Sequence, residues 1–346
     1  MKATGSPAVR PCLAPALLLA LCACTPKPPV APPPAAPKPL DGAARAQWYQ
    51  QCWGYFNGRQ WDAFTGCYAA DAVSTEAGYG QPEVRGAQAI VASAQGTAAM
   101  APDVRGEQQL ILINGNHLAS LNVLHGTNTG PTKDASGREG RPTGKSFGLW
   151  FAHSIEVNDS QKVTREFGAS DGGTMAAQLG LSKAPARPLA AAPTAPPTVV
   201  VAAADATEEQ NVAADKAGME AWNRHDAAAT EAAQADDYVF HDASYARDLN
   251  RTENSADTKG FWAGFSDARL TADSVWAAGP YVVVQGRFDG TNDGSLPMMK
   301  LKKTGRKVTL PFLAIDRFAN GKVAETWLIY DSAALGAQLM GPAPKK

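Results

Sequence analysis

Four carboxylates stand at matching points in two halves of this sequence. Asp171 opens the segment Asp171-GGTMAA-Gln178-Leu179, and Asp331 opens Asp331-SAALGA-Gln338-Leu339. Each follows a strand-like run, KVTREFGAS before Asp171 and KVAETWLIY before Asp331. Glu76 and Asp242 form a second matched pair, each placed soon after Asp71 or Asp237. A carboxylate enclosed in an apolar cavity has its charged form disfavoured, which raises its pKa into the range useful for proton transfer. Two such groups in unlike surroundings, Glu76 with Asp171 or Asp242 with Asp331, can divide into an acid and a base. The same residues also suit plainer work. Asp is a preferred helix N-cap, which fits the runs after Asp171 and Asp331, and Glu76 and Asp242 suit exposed strand edges.

These matches extend into an internal repeat. Phe56-Asn57 recurs as Trp222-Asn223, Asp71 as Asp237, and Gly126-Thr127-Asn128-x-Gly130 as Gly290-Thr291-Asn292-x-Gly294. Copies of this length are two domains rather than a solenoid of short units. We place the first at 44–180 and the second at 205–341, joined by a Pro/Ala-rich linker at 181–204.

The N-terminal stretch is a targeting device. A positive start (Lys2, Arg10), the apolar run LAPALLLAL and the ending Leu21-Cys22-Ala23-Cys24 read as a secretory signal over 1–24, too short to span as a helix. The ending resembles a bacterial lipobox, which implies cleavage before Cys24 and lipid on its thiol. The Pro-rich run over 25–43 favours extended polyproline II and acts as a spacer. An exported chain, lipid-anchored to a bacterial membrane and most simply to the outer one, is therefore expected, with the anchor as its only membrane contact.

Composition narrows the function. Lys+Arg 32 against Asp+Glu 33 leaves a net charge of -1, which argues against a nucleic-acid footprint. No His/Cys cluster has zinc spacing, and no metal or cofactor is expected. GRPTGKS is not a phosphate loop: Gly140 and Gly144 enclose three residues where four are required, and the segment lies between strands.

Helices are expected around Asn57-Gly58, over GAQAIVASAQGTAAM and over their counterparts, followed in each half by long strands. Helices first and antiparallel strands after make an α+β domain. The aromatics Trp48, Trp53, Tyr55, Phe56, Trp61 and Phe64 fall at helical spacing and read as core, with Tyr55 a candidate for lining a cavity. His225 reads as a turn residue and His125 as a strand end. Cys52 and Cys67 flank the helix break, so antiparallel helices would set them side by side for a disulfide in an oxidising compartment. The second half has Gly218 and Ala233 there and folds without one.

Each half resembles the SnoaL-like polyketide cyclase family of the nuclear transport factor 2-like superfamily. The likeness rests on the Asn helix break, the Asp237–Asp242 segment, the Gly-Thr-x-x-Gly strand end, PTGK (142–145), ANGKVAETW (319–327) and the tail Asp331…Gln338-Leu339. It implies two tandem cone-shaped domains, each a curved antiparallel sheet wrapped around three helices and a mostly apolar pocket. It also implies acid–base chemistry from Asp171 and Asp331, and, through the related ketosteroid isomerases, from Glu76 and Asp242. The helper His of the family is not matched: Glu156 and Arg317 fall near its place, with His153 three residues away. Ligand contacts are expected from His241, Arg317, Trp327, His153, Trp150 and Tyr55. Because the acid–base set is incomplete in both copies, the reading is a binding protein for a small apolar molecule, with docking to another envelope protein as a further role. The alternative is a cyclase- or isomerase-type enzyme acting on a small carbonyl compound.

Overall fold

A capped helix begins each half. Asp41 accepts from Ala44 N at 2.8 Å and starts α1 (Gly42–Asn57). Asp205 accepts from Thr207 N and Glu208 N and starts the helix Ala206–Asn223. The computed structural model describes residues 41–77, 83–133, 139–185 and 187–341; Cys24, the signal segment and nearly all of the tether lie outside the described residues.

The first half continues with α2 (Trp61–Thr65), β1 (Tyr68–Glu76), β2 (Val84–Arg85), α3 (Ala87–Met100), β3 (Arg105–Asn114), β4 (His117–Thr127), β5 (Thr132–Lys133), β6 (Glu139–Gly140), β7 (Ser146–Val157), β8 (Val163–Ser170) and α4 (Gly172–Gln178). After β9 (Thr198–Val201) in the linker come α5 (Ala206–Asn223), α6 (Ala227–Ala232), β10 (Gln234–Asp242), β11 (Leu249–Asn250), α7 (Arg251–Gly264), β12 (Arg269–Ala278), β13 (Tyr281–Thr291), β14 (Lys307–Ala319), β15 (Lys322–Tyr330) and α8 (Ser332–Met340).

The two sheets share one topology, β2-β1-β8-β7-β4-β3 and β11-β10-β15-β14-β13-β12. Registers correspond as well: Glu76 pairs with Gly168 as Asp242 pairs with Leu328. The sheets are mixed rather than wholly antiparallel, because β1 runs parallel to β8 and β10 parallel to β15. A first strand paired with the last of its domain is joined to it by a long crossover, and a crossover permits parallel pairing where a hairpin does not. The linker also departs from the expected spacer. Its β-branched run Thr198–Val201 adds a parallel strand to the β3 edge, Leu110↔Thr198 through Ile113↔Val201.

Strand alternation divides the side chains. Phe147, Leu149 and Ile155 of β7 enter the first cone, while Ala152, with Trp150 packed beside it, faces the other way. That outer face meets the outer face of the second sheet in a shared apolar layer including Leu112, Leu121, Phe167, Trp276, Val283, Leu313 and Ile329. Both faces of each sheet are therefore buried along this seam, and Asn114 Nδ2 crosses it to donate to Ala277 O at 2.9 Å.

The repeat motifs are backbone clamps. Asn57 exchanges two hydrogen bonds with Gly106, each 2.9 Å, and Asn223 does the same with Leu270. Asn128 donates to Met100 O and Gly130 O and accepts from Thr143; Asn292 repeats this with Gly264, Gly294 and Thr304. Gln178 grips Gly148 and Gln338 grips Thr309 through both N–H and C=O. Buried amides that satisfy backbone groups fix element ends in place. No helix among the described residues is long and apolar enough to cross a membrane.

Candidate functional site

Asp171 and Asp331 end β8 and β15 and cap the helices that follow. Asp171 is buried and accepts from Gly173 N at 3.1 Å and Thr174 N at 2.9 Å. It also accepts from Ser332 N at 2.8 Å and Ser332 Oγ at 2.6 Å, in the other domain. Asp331 accepts from Ala333 N at 3.0 Å, and burial raises its carboxyl. The two helix starts thus face each other across the seam. Close approach requires Gly172 and Gly173, since a Cβ at Gly173 would lie 2.1 Å from Ser332 Oγ. The two aspartates therefore meet each other at this junction instead of occupying separate cones.

Glu76 and Asp242 end β1 and β10. Burial raises both, Asp242 to about 7. Asp242 is 3% exposed and accepts from Ser244 N at 2.8 Å and Ser244 Oγ at 2.6 Å, and that hydroxyl also lies 2.9 Å from Tyr330 Oη.

Four expected ligand contacts turn away from the cones. His241 pairs with Trp327 in the strand register, stacks on it with ring centroids 4.9 Å apart and meets Trp150 edge-on at 5.6 Å. Arg187 of the linker lies over Trp150 at 4.2 Å and pairs with Asp248, which also reaches His241 Nδ1 at 3.1 Å. This cluster fastens the linker to both domains. Arg317 pairs with Glu325 at 2.6 Å on the same outward phase. The period of two decides all these placements: His241 neighbours inward Asp242, and Trp327 neighbours inward Thr326 and Leu328.

His153 does enter the first cone. It lies 3.2 Å from Tyr49 Oη, which is 2.7 Å from Ser120 Oγ; Tyr68 donates to Glu166 at 3.0 Å. Burial lowers His153 to about 4, so its imidazole is neutral at neutral pH and its 4.0 Å approach to Glu166, itself raised by burial, is not an ion pair. Trp53 packs edge-on against Tyr49, Phe56 and Phe151, and a Cβ at Gly106 would lie 2.0 Å from its ring. Tyr55 packs at the margin of this core. Cys52 and Cys67 are joined as a disulfide, Cα atoms 6.1 Å apart. The first cone is thus filled by its own side chains.

The second cone carries other chemistry at the equivalent positions. Asp215 on α5 stands where α1 has Tyr49, and Asp316 where β7 has Ile155. Asp215 and Asp316 hydrogen-bond to each other, and burial together with the neighbouring carboxyl raises Asp215 well above the carboxylate range. Burial raises Asp316 too, against hydrogen bonds from Thr326 and Asp215. The pair holds a shared proton at neutral pH. Met219 replaces Trp53 one helical turn beyond Asp215, on the same face. Here α5 and β12 flank an open groove of about 410 Å³, lined by apolar side chains such as Met219 and Leu270 and by as many charged ones, Lys216, Glu220, Arg269 and Asp273. The sequence reading did not single out Asp215, Asp316, Glu166 or Tyr49. Asp316 is a polar residue at an inward position of an otherwise apolar strand, and that was its only signal; Glu166 stands in a strand that already carries Thr164, Arg165 and Ser170. Among the described residues no group of three His, Cys, Asp or Glu side chains is placed to hold a metal ion.

The pattern of the SnoaL-like polyketide cyclase family matches residues 213–339, and that of the SnoaL-like domain matches residues 47–166. Two SnoaL-like domains stand in tandem in this chain. Among solved structures, a putative SnoaL-like polyketide cyclase from Jannaschia sp. CCS1 is similar at 22% identity and TM-score 0.37, over 40% of this chain and 96% of that one. A putative polyketide cyclase from Streptomyces antibioticus is similar at 24% identity and TM-score 0.35, over 39% and 98%. A putative hydroxylase from Streptomyces galilaeus is similar at 22% identity and TM-score 0.36, over 38% and 97%. Comparison with curated proteins found no match. The SnoaL-like assignment accounts for the α+β cones; the two copies differ in what fills them.

Proposed function

We propose that this is a lipid-anchored envelope protein whose second SnoaL-like domain holds a small, largely apolar ligand, while the first is its structural partner. The observation that carries the reading is the groove of about 410 Å³ between α5 and β12, beside Met219, the counterpart of Trp53. That volume lies in the range of small-molecule sites. Met219, Leu270 and Ala272 offer apolar contact to the ligand body. Asp215, one turn away on the same helix face, holds its proton in the hydrogen bond to Asp316, so the pair behind the groove does not carry two full charges. Titration with the apolar dye 1-anilinonaphthalene-8-sulfonate tests the groove: saturable binding is expected, and Met219→Trp should abolish it. Undiminished binding by that variant refutes the reading.

Acid–base catalysis of the cyclase or isomerase type is a second reading, favoured by Asp242. Its carboxyl, raised to about 7 beside the Ser244 and Tyr330 hydroxyls, is tuned for proton transfer near neutral pH. Anchoring rests on the Cys24 motif and the Pro-rich tether. Cys24→Ser should release the protein from the membrane fraction; a variant that pellets like the wild type removes the lipid anchor from this proposal.

A further inference from the structure

The loop between β13 and β14 concentrates positive charge. From Gly294 to Ile315 the chain has no Asp or Glu, and Lys300, Lys302, Lys303, Arg306 and Lys307 stand close together within it. The counterpart loop of the first copy mixes signs, with Asp134 and Glu139 among its basic residues. All five basic side chains of the second copy are exposed. None forms an ion pair or a side-chain hydrogen bond among the described residues. Asp293, within electrostatic reach of Lys303, is already taken up by Ser266 N at 3.0 Å and Ser266 Oγ at 2.5 Å.

A run of like charge by itself is satisfied by water. Two further observations set this one apart. The loop is held in shape: Leu296 is fully buried and exchanges backbone hydrogen bonds with Leu301 at 2.8 and 3.1 Å, while Asn292 closes the base through Arg306 O and Gly305 N, each at 2.8 Å. The 3₁₀ turn Pro297–Met299 is thus presented at a defined tip, and little order has to be gained on binding. The exposed apolar surface of the second domain also lies here. Among the described residues, Met299 and Met340 are its only exposed large apolar side chains, at 38% and 68%. Met299 stands at the tip. Met340 ends α8, whose Leu335 and Leu339 share a core cluster with Leu296. A Cβ at the next residue, Gly341, would lie 2.5 Å from Arg306 Nη2. The loop and the end of α8 therefore form one surface on which cations flank flexible apolar side chains.

That combination fits an anionic phospholipid layer. Phosphate headgroups meet the lysines and Arg306, and the methionine side chains enter the headgroup boundary. A soluble anion or a nucleic acid would use the charges and leave the methionines in water. We infer that the β13–β14 loop and the end of α8 dock the second domain on an anionic phospholipid bilayer. This contact is peripheral and separate from the lipid expected on Cys24. A wash in about 1 M salt, where the Debye length is about 3 Å, dissolves it and leaves a lipid anchor in place, so the two readings fail independently.

The test is co-sedimentation of the full chain carrying Cys24→Ser with phosphatidylcholine vesicles, either pure or with about one third phosphatidylglycerol. Saturable binding to the mixed vesicles is expected, about tenfold tighter or more than to the pure ones. Lys302→Glu together with Lys303→Glu should weaken it about tenfold or more, since each cation near an anionic surface adds its own attraction. Met299→Ser together with Met340→Ser should weaken it about threefold or more. These four side chains are exposed, so the fold should stand, and far-UV circular dichroism checks it. The N-terminal segment is common to every variant and cancels in the comparison. Equal binding to pure phosphatidylcholine, or undiminished binding by the Lys302→Glu/Lys303→Glu chain, overturns the inference. Unchanged affinity in the methionine variant means that the loop meets a polyanion such as nucleic acid by charge alone, and it overturns the membrane assignment. Displacement by inorganic phosphate, at an ionic strength where chloride does not displace, overturns it as well.

Discussion

Replacing Asp171 with Ala is expected to destabilise the protein far more than replacing Asp331, its repeat counterpart. Asp171 accepts four hydrogen bonds, two from its own helix and two from Ser332 in the other domain. Loss of an N-cap costs about 1 kcal/mol. Orphaning the Ser332 N–H and hydroxyl at a largely buried junction adds about 1–3 kcal/mol, so Asp171→Ala should cost about 2–4 kcal/mol in total. The carboxylate also raises Asp242 and Asp331 electrostatically, and relief of that repulsion places the loss toward the lower end. Asp331 is half-buried and accepts one well-formed hydrogen bond, from Ala333 N, beside looser backbone contacts with Ala334 and Gly172, so Asp331→Ala should cost about 1 kcal/mol. Urea unfolding of both full-length variants, followed by far-UV circular dichroism, measures the difference. Equal losses, or a loss below about 1 kcal/mol for Asp171→Ala, would refute the account of the seam as a shared helix cap.

Three further outcomes follow from the sites described. Asp215 and Asp316 are both raised in the folded protein, so the fold binds more protons there than the unfolded chain does. Their contribution is fully present below the ordinary aspartate pKa and is lost as pH rises through the raised values. Asp316→Asn should therefore flatten the fall in melting temperature from mildly acidic to mildly alkaline pH; an unchanged slope would show that the pair shares no proton. Substituting Ser for both Cys52 and Cys67, which are 15 residues apart, should cost the first domain about 3 kcal/mol, read as a lower unfolding midpoint; an unchanged midpoint would show that the bridge adds nothing to stability. If the catalytic reading of Asp242 is right, Asp242→Asn should abolish turnover of a carbonyl substrate once one is found, with stability kept within about 1 kcal/mol; retained turnover would end that reading.

The parts of this protein that the sequence made legible are those where local chemistry repeats. Asp171 and Asp331, Asn57 and Asn223, Asn128 and Asn292, and Gln178 and Gln338 recur because each closes the same backbone groups in each copy. Such clamps depend on residue type and short spacing, so they survive as motifs and disclose both the doubling and the cone. Cys52 and Cys67 were legible for the same reason, since a helix break between them sets their approach. The mixed sheet and the linker strand Thr198–Val201 were not, because strand partners distant in sequence are chosen by burial of the whole edge. The interior groups were also hidden. Tyr49 with His153 in one cone, and Asp215 with Asp316 in the other, differ between copies and come from elements far apart in the chain. Tertiary structure alone turned Trp150, His241 and Trp327 to the seam. Their alternation marks a face, but only the packing of one sheet on the other decides which face meets the second domain and which meets the ligand.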